Sequence, residues 1–176
     1  MIKFRDNLLF LPEHKEKARK AVDYFLEYNH GGTIGLFGRA GSGKSEIAWH
    51  IHRILYNIGL SSHVVPLDRY YMTAVDEREA WRRKHQYVGP AEMNWPLVFD
   101  EVSAFTNNNI DVVIFEGLYA GYIPCLSCYV YVEAGDTYKF RKERGKEDPD
   151  SDFRRWTLEH ENEAVDRVLK RVDIRV

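Results

Sequence analysis

This sequence of 176 residues has only two cysteines, no long apolar run and no excess of basic residues. Its two cysteines, Cys125 and Cys128, are too few for the disulfide framework of a small secreted domain, and their lone CxxC indicates a structural rather than a zinc-binding role. No apolar run is long enough to cross a membrane and no signal-peptide core is visible, so we expect a cytoplasmic protein without a membrane partner. The formal net charge of −2 argues against a nucleic-acid partner, because such proteins usually present a strongly basic face.

What the chain does contain is typical of a folded protein. Hydrophobic residues make up 44% of it and charged residues 30%, a balance that favours a packed core over disorder. We see no internal repeat, low-complexity tract or linker, and we expect one domain over residues 1–176, with a helical extension at 1–32. The sequence leaves homo-oligomerisation open.

The periodicity of apolar residues changes after the first 32 positions. Before it, Pro12 suits a first helical turn, and Ala18, Val22, Phe25 and Leu26 share one helical face. From Thr33 onward, short apolar runs alternate with helical stretches, which predicts an α/β fold with a mostly parallel central sheet flanked by helices in three layers. We expect strands at 33–37, 62–67, 111–115, 128–132 and 172–176, and helices at 44–58, 76–86, 96–105 and 153–168.

A glycine-rich segment follows the first expected strand and leads into a helix. It reads GRAGSGKS and fits the pattern GxxxxGK[ST] in full. Glycines let backbone N–H groups curl around phosphates, the helix N-terminus adds a positive dipole end, and the lysine supplies a mobile charge. The sequence therefore predicts a P-loop NTPase fold with an ATP site at Gly38, Arg39, Ala40, Gly41, Ser42, Gly43, Lys44, Ser45 and the next residue, Glu46.

Two acidic residues follow the next apolar strands. Asp68 comes after His63–Leu67, and Glu116 ends the run Val112–Phe115. Because parallel strands deliver their carboxyl ends to one edge of a sheet, both should lie beside the phosphate loop. Phosphoryl transfer to a hydroxyl needs one carboxylate as a base and a second near Mg²⁺. Asp68 suits the catalytic base, and Glu116 with Ser45 suits the metal; a cap or a turn is the alternative at each acidic position.

These segments resemble the group of uridine kinases, phosphoribulokinases and pantothenate kinases, which includes nicotinamide riboside kinases. Asp68-Arg69-Tyr70-Tyr71 is similar to that group's D-x-[FY]-[FY] motif, whose Asp is the general base, and Val113–Leu118 is similar to the motif whose Glu serves magnesium. Arg141–Lys146 resembles the uridine kinase lid, so the resemblance implies a lid at about 136–150 with Arg141 and Arg144 on the ATP phosphates. The likeness extends from Thr33 through nearly all the remaining chain, with Glu46 in place of the usual second hydroxyl residue.

The acceptor pocket is less well defined by sequence. Asn94–Asp100 resembles a uridine kinase segment but lacks the Asp that holds the sugar hydroxyls in that family. Tyr70, Tyr71 and Trp95 lie near the expected site edge, where aromatic rings can stack on a base or pack in the core. Arg82 lies in a basic and aromatic run that forms either a surface helix or part of the pocket. The acceptor could be a nucleoside, a pyridine riboside, a sugar phosphate or a vitamin precursor.

Together these patterns predict an ATP- and Mg²⁺-dependent kinase, in which Asp68, Lys44, Arg141 and Arg144 act on the transferred phosphoryl group. The expected acceptor is a small-molecule hydroxyl, first of all that of a nucleoside such as uridine or cytidine or of a related riboside. The alternative is a regulatory P-loop ATPase or switch with no small-molecule acceptor. GTPase switches normally carry an N-K-x-D base-reading motif, which this chain lacks.

Overall fold

The structure, a computed structural model, describes residues 8–106, 109–134 and 151–176. In these ranges the helices are α1 Pro12–Tyr28, α2 Lys44–Asn57, α3 Arg78–His85, α4 Trp95–Thr106 and α5 Asp152–Asp166. The strands are β1 Gly32–Phe37, β2 Ser62–Pro66, β3 Val112–Glu116, β4 Cys128–Tyr131 and β5 Ile174–Arg175. The predicted order of elements is confirmed; the last strand is shorter than expected.

The five strands form one sheet in the order β2-β3-β1-β4-β5, with every pair parallel. Strand β1 is therefore central, and Leu36 near its end lies level with Glu116 of β3, which in turn lies level with Pro66 of β2. This register brings the carboxyl ends of β1, β2 and β3 to one edge. The predicted parallel α/β fold is confirmed.

Helices cover both faces of the sheet because its strands are apolar on both sides. On one face Ile34 and Leu36 of β1 pack in a buried cluster with residues of α1 and α2. On the other face Phe37 packs in a second cluster that includes Val98 of α4 and Val165 of α5. Alternate residues of a strand point to opposite faces of the sheet. A strand that is buried on both faces therefore needs an apolar residue at nearly every position.

Helix α1 begins at Pro12, as predicted, because proline has no N–H to lose in a first helical turn. Its residues Ala18, Ala21, Val22 and Phe25 have at most 1% of their surface exposed and belong to the same cluster as α2. Leu26, which we expected on this face, is only partly buried. The segment expected as an extension thus supplies part of the core.

In the part of the chain that the structure describes, no helix is both long and apolar enough to span a bilayer. The segment predicted to be a lid, 136–150, lies outside the described residues.

Candidate active site

The loop between β1 and α2 has the backbone conformation that its glycines permit. Gly41 and Gly43 have φ values of 89° and 83°, in the left-handed region that other residues rarely adopt. The ammonium of Lys44 turns back over the loop, and its Nζ donates to the carbonyl oxygens of Gly38 at 3.0 Å and Arg39 at 2.8 Å. A positive charge is thereby held at the mouth of the loop, at the N-terminus of a helix, where anions are favoured.

Beside this loop, a hydroxyl and a carboxylate meet at the sheet edge. The Ser45 hydroxyl donates to Glu116 Oε1 at 3.2 Å. The Gly117 N–H donates to the Leu36 carbonyl at 3.1 Å, which fixes the end of β3 against β1. Hydroxyl and carboxylate oxygens are hard ligands of the kind that Mg²⁺ prefers. The described residues contain no cluster of three or more His, Cys, Asp or Glu side chains suited to a metal.

Asp68 lies just past the end of β2, in a short 3₁₀ helix over Leu67–Tyr70. Its side chain is exposed, whereas Leu67 is buried and anchors the turn. Because Pro66 lies level with Glu116, Asp68 follows the strand end on the same edge as the Ser45–Glu116 pair. The three phosphate-chemistry groups predicted from sequence therefore follow three adjacent strands.

The chain after Asp68 pairs with a second segment and forms a wall. Tyr71 and Met93 make an antiparallel bridge, and the Asn94 N–H donates to the Tyr70 carbonyl at 2.7 Å. Trp95 begins α4 directly after this pair, and its Nε1 donates to the Pro90 carbonyl at 2.9 Å. The structure thus brings together Tyr70, Tyr71 and Trp95, all partly buried, next to Asp68.

Arg82 is placed differently from a ligand clamp. It is 5% exposed, and its guanidinium contacts two buried carboxylates: Glu92 at 2.8 Å and Glu161 at 3.1 Å. Burial opposes the charged form, but the hydrogen bond to Glu92 and the charges of Glu161 and Glu92 outweigh it and raise the pKa of Arg82. Because its fork is occupied by carboxylates, the side chain ties α3 to the 3₁₀ turn Pro90–Glu92 and to α5.

Tyr71, three residues after Asp68, lies within electrostatic range of that carboxylate and of the buried triad. Burial raises the pKa of its phenol well above the usual value, and the negative charges of Glu161 and Asp68 raise it further. Tyr119, whose ring centroid is 6.2 Å from that of Tyr71, has its pKa raised chiefly by burial as well. Both phenols therefore remain neutral hydrogen-bond donors throughout the physiological pH range.

Besides Lys44 and Ser45, two further residues of the expected ATP site have side-chain partners in the protein. Glu46 is 2% exposed, and its Oε1 accepts from the Leu9 N–H at 3.2 Å, so the carboxylate is engaged with the segment before α1. Arg39 forms an ion pair with Asp166 at the end of α5, with 3.3 Å between their charged atoms, and both side chains are about half-exposed. Arg141 and Arg144 lie outside the described residues.

Sequence reasoning missed several residues that the fold brings to this region. Arg78 begins α3 one turn before Arg82, and this spacing of four could have indicated that both lie on one face. Glu161 lies 79 positions from Arg82, and no local signal connects them. His14 of α1 is buried and approaches the phosphate loop, since a Cβ at Gly43 would lie 2.6 Å from its Nε2.

No protein-family model matches the chain, and no curated protein matches its sequence. Among solved structures, it is similar to the crystal structure of a "putative fructose transport system kinase" from Silicibacter sp. TM1040. The two share 16% sequence identity with a TM-score of 0.67, over 91% of this chain and 98% of the other. The likeness extends over nearly the whole of both chains and concerns the fold.

Proposed function

We propose that this protein is an ATP-dependent phosphotransferase that passes the γ-phosphoryl group to a hydroxyl of a small molecule. The observation that carries the proposal is the convergence of three groups at one sheet edge. These are the glycine loop closed by Lys44, the Ser45–Glu116 pair with 3.2 Å between its oxygens, and Asp68 after the adjacent strand. A fold shared with a protein described as a kinase is compatible with this activity, although fold alone does not fix function.

In the proposed reaction, residues 38–45 hold the ATP phosphates, and Lys44 follows the charge on the β- and γ-oxygens. Ser45 and Glu116 would hold Mg²⁺, which when bound neutralises phosphate charge. Asp68 accepts the proton of the acceptor hydroxyl as its oxygen bonds to the γ-phosphorus and the bond to ADP breaks. Arg141 and Arg144 are proposed to close over the phosphates, where planar guanidinium groups suit the developing charge.

We propose a riboside as the first acceptor to test, because the motifs around Asp68 and Glu116 resemble uridine kinases. Uridine, cytidine and nicotinamide riboside represent that class. The similar solved structure is described as belonging to a fructose transport system, so free sugars belong in the same panel. Tyr70, Tyr71 and Trp95 form the wall against which an acceptor ring would pack.

A regulatory ATPase is the competing function, and Asp68 separates the two. An exposed carboxylate at the sheet edge that carries the phosphate loop suits proton abstraction from an acceptor, whereas a switch that hydrolyses ATP slowly has no need of an acceptor base. ADP release should therefore be measured with Mg²⁺·ATP in the presence and absence of each acceptor. The proposal predicts release that depends on one class of acceptor, and acceptor-independent hydrolysis would contradict it.

Substitution of the base gives the quantitative test. Asp68→Asn should lower kcat by about 10²- to 10⁴-fold, the usual contribution of a general base, while ATP affinity stays within a few fold. Asp23→Asn, an exposed carboxylate on α1, is the matched control and should behave as wild type. Near-normal turnover by Asp68→Asn would remove the residue from its proposed role.

A further inference from the structure

Helix α3 carries three arginines, and two of them are paired with carboxylates. Arg82 is held by Glu92 and Glu161 inside the protein. Arg83 lies 2.7 Å from Glu79 on the same helix, and its guanidinium carbon is 3.7 Å from the ring centroid of Phe153. Neither side chain has its charge available for a ligand.

Arg78 is the third, and its environment differs. Its guanidinium carbon lies 3.7 Å from the centroid of the Tyr71 ring, which holds the planar group in one orientation. No ion pair links Arg78 to any residue that the structure describes. Its Nε is buried and has no hydrogen-bond partner among the residues that the structure describes. Within that part of the chain, Arg78 is a partly buried, oriented guanidinium that no carboxylate neutralises.

A second unsatisfied donor lies beside the same aromatic ring. The Tyr119 hydroxyl is buried and has no hydrogen-bond partner in ranges 8–106, 109–134 and 151–176, and its ring centroid is 6.2 Å from that of Tyr71. A buried polar group without a partner is destabilising, so two such groups beside the Tyr71 ring indicate a ligand site. Tyr71 itself comes three residues after Asp68 and feels the charge of that carboxylate. The unsatisfied donors therefore border the acceptor wall.

We propose that Arg78, assisted by Tyr119, binds an oxyanion carried by the phosphoryl acceptor. This inference rests on the proposed function and narrows it: the acceptor is a hydroxyl compound that also bears a carboxylate or a phosphate. The hydroxyl lies at Asp68 and the anionic group lies across the Tyr71 ring, on the planar fork of Arg78. Such a fork binds carboxylate and phosphate oxygens two at a time, which gives orientation as well as affinity.

Matched pairs of acceptors test this inference in the wild-type protein. Ribose and ribose 5-phosphate differ by a phosphate, and uridine and orotidine differ by a carboxylate. We expect the anionic member of at least one pair to have the higher kcat/KM by roughly 10- to 100-fold, the range for a hydrogen bond to a charged group. The pair that shows the preference identifies the anion. Equal values within both pairs, in a protein that phosphorylates them, would overturn the inference and leave the proposed function intact.

Substitution then assigns the preference to one side chain. Arg78→Gln should raise KM for the anionic acceptor roughly 10- to 100-fold, leave KM for ATP unchanged and abolish discrimination within the pair. Arg83→Gln is the matched control, because it removes a guanidinium from the same helix that lies at the same distance from a ring. Equal effects of the two substitutions would mean that α3 acts only structurally and would overturn the assignment.

A binding measurement keeps the inference testable if none of these compounds is phosphorylated. Ribose 5-phosphate and orotidine are each titrated, in a calorimeter, into protein saturated with Mg²⁺ and a non-hydrolysable ATP analogue. The analogue occupies the phosphate loop, so the added compound cannot bind there. We expect binding of an anionic compound that Arg78→Gln weakens roughly 10-fold or more and Arg83→Gln does not. No binding, or binding indifferent to Arg78→Gln, would overturn the inference, whereas failure of the proposed function would appear as acceptor-independent hydrolysis.

Discussion

The two cysteines are three residues apart in the sequence and differ in the properties that govern thiol reactivity. Cys125 is exposed, whereas Cys128 begins β4 with 1% of its surface exposed and packs in the cluster beneath α1 and α2. Burial raises the pKa of the Cys128 thiol to about 12, and the charge of Asp173 adds to the effect. The thiolate is the reactive species, so two properties protect Cys128 from alkylation: reagents cannot reach it, and its thiol stays protonated.

Alkylation should therefore distinguish the two thiols. At pH 8 in native buffer, iodoacetamide is expected to modify Cys125 and leave Cys128 free, and both should react in urea. Peptide mass spectrometry after short exposure gives the site and extent of labelling. Rapid native labelling of Cys128 would contradict the placement of β4 in the core.

The raised pKa of Cys128 makes the free energy of unfolding depend on pH. In the unfolded chain the thiol of Cys128 ionises above pH 9.0, its usual pKa. In the native state its pKa is raised, so the thiol stays protonated to higher pH. The native state then binds more protons, so the free energy of unfolding falls as pH rises from about 9 toward 12. Cys128→Ala should lessen that decline and Cys125→Ala should not.

Single residues differ in how far the sequence predicts them. The phosphate loop, Asp68 and Glu116 could be placed because strand ends in a parallel sheet share an edge, which is a rule of topology. The pairing of Arg82 could not, because Glu92 and Glu161 reach it only through the packing of three separate elements. The roles proposed for Arg78 and Tyr119 likewise could not be predicted, because they rest on polar atoms left without a partner among the described residues, and a sequence does not show which atoms are paired.

At the scale of elements, the Arg82 triad connects α3, the 3₁₀ turn Pro90–Glu92 and α5. Arg82→Met would leave two carboxylates buried beside each other without a cation. We expect a loss of about 3–5 kcal/mol in the free energy of unfolding, measured by urea denaturation. Arg83→Gln breaks an exposed ion pair and a contact with the Phe153 ring and should cost only about 1 kcal/mol.

The opposite pattern would restore the sequence-based hypothesis for Arg82. If Arg82→Met unfolds at the wild-type urea concentration and only the KM for the acceptor rises, then Arg82 binds the acceptor directly.

The contact between α1 and the phosphate loop gives a second prediction for elements. Gly43 has a left-handed backbone, and an added Cβ would lie 2.6 Å from Nε2 of the buried His14. Gly43→Ala should therefore cost about 1–2 kcal/mol from backbone strain and more from the clash. It should also weaken ATP binding, because the loop amides would shift.

A double-mutant cycle with His14→Ala separates these two causes. Removing the imidazole relieves the clash but leaves the strain, so the double variant should be more stable than the sum of the single losses by about 0.5–3 kcal/mol. Strict additivity in urea denaturation would show that the ring of His14 does not oppose the added methyl group.

Elements could be predicted well where apolar periodicity was strong. The helix from Pro12, the strand at Ser62 and the strand at Cys128 begin where the sequence indicates. The final strand, Ile174–Arg175, is shorter than its apolar pattern and pairs with Val130 and Tyr131 of β4 at the edge of the sheet. The length of a strand depends on which residues find pairing partners, and those partners are set by the fold rather than by the strand's own sequence.

At the scale of the whole molecule, α1 belongs to the core, because it shares a buried cluster with α2, the helix that follows the phosphate loop. Its order along the chain suggested an extension because it precedes the alternating pattern, but Phe25 is fully buried against residues of α2 and the sheet. Phe25→Ala should cost about 3–5 kcal/mol, as expected for a large core side chain.

The control lies one turn away on the same helix. Tyr28 is 64% exposed, and Tyr28→Ala should change the free energy of unfolding by less than about 0.5 kcal/mol. If the two substitutions had equal and small effects, α1 would not be part of the cooperative core, and its residues would form a separable extension.

The most direct test of the central claim follows the fate of the γ-phosphoryl group. Phosphorus NMR of a mixture of protein, Mg²⁺·ATP and the acceptor that stimulates ADP release distinguishes a phosphate ester from inorganic phosphate. We predict one equivalent of ester for each ADP formed by the wild-type protein, and almost none with Asp68→Asn. Inorganic phosphate as the sole product, formed equally by both proteins, would contradict the claim and identify an ATPase.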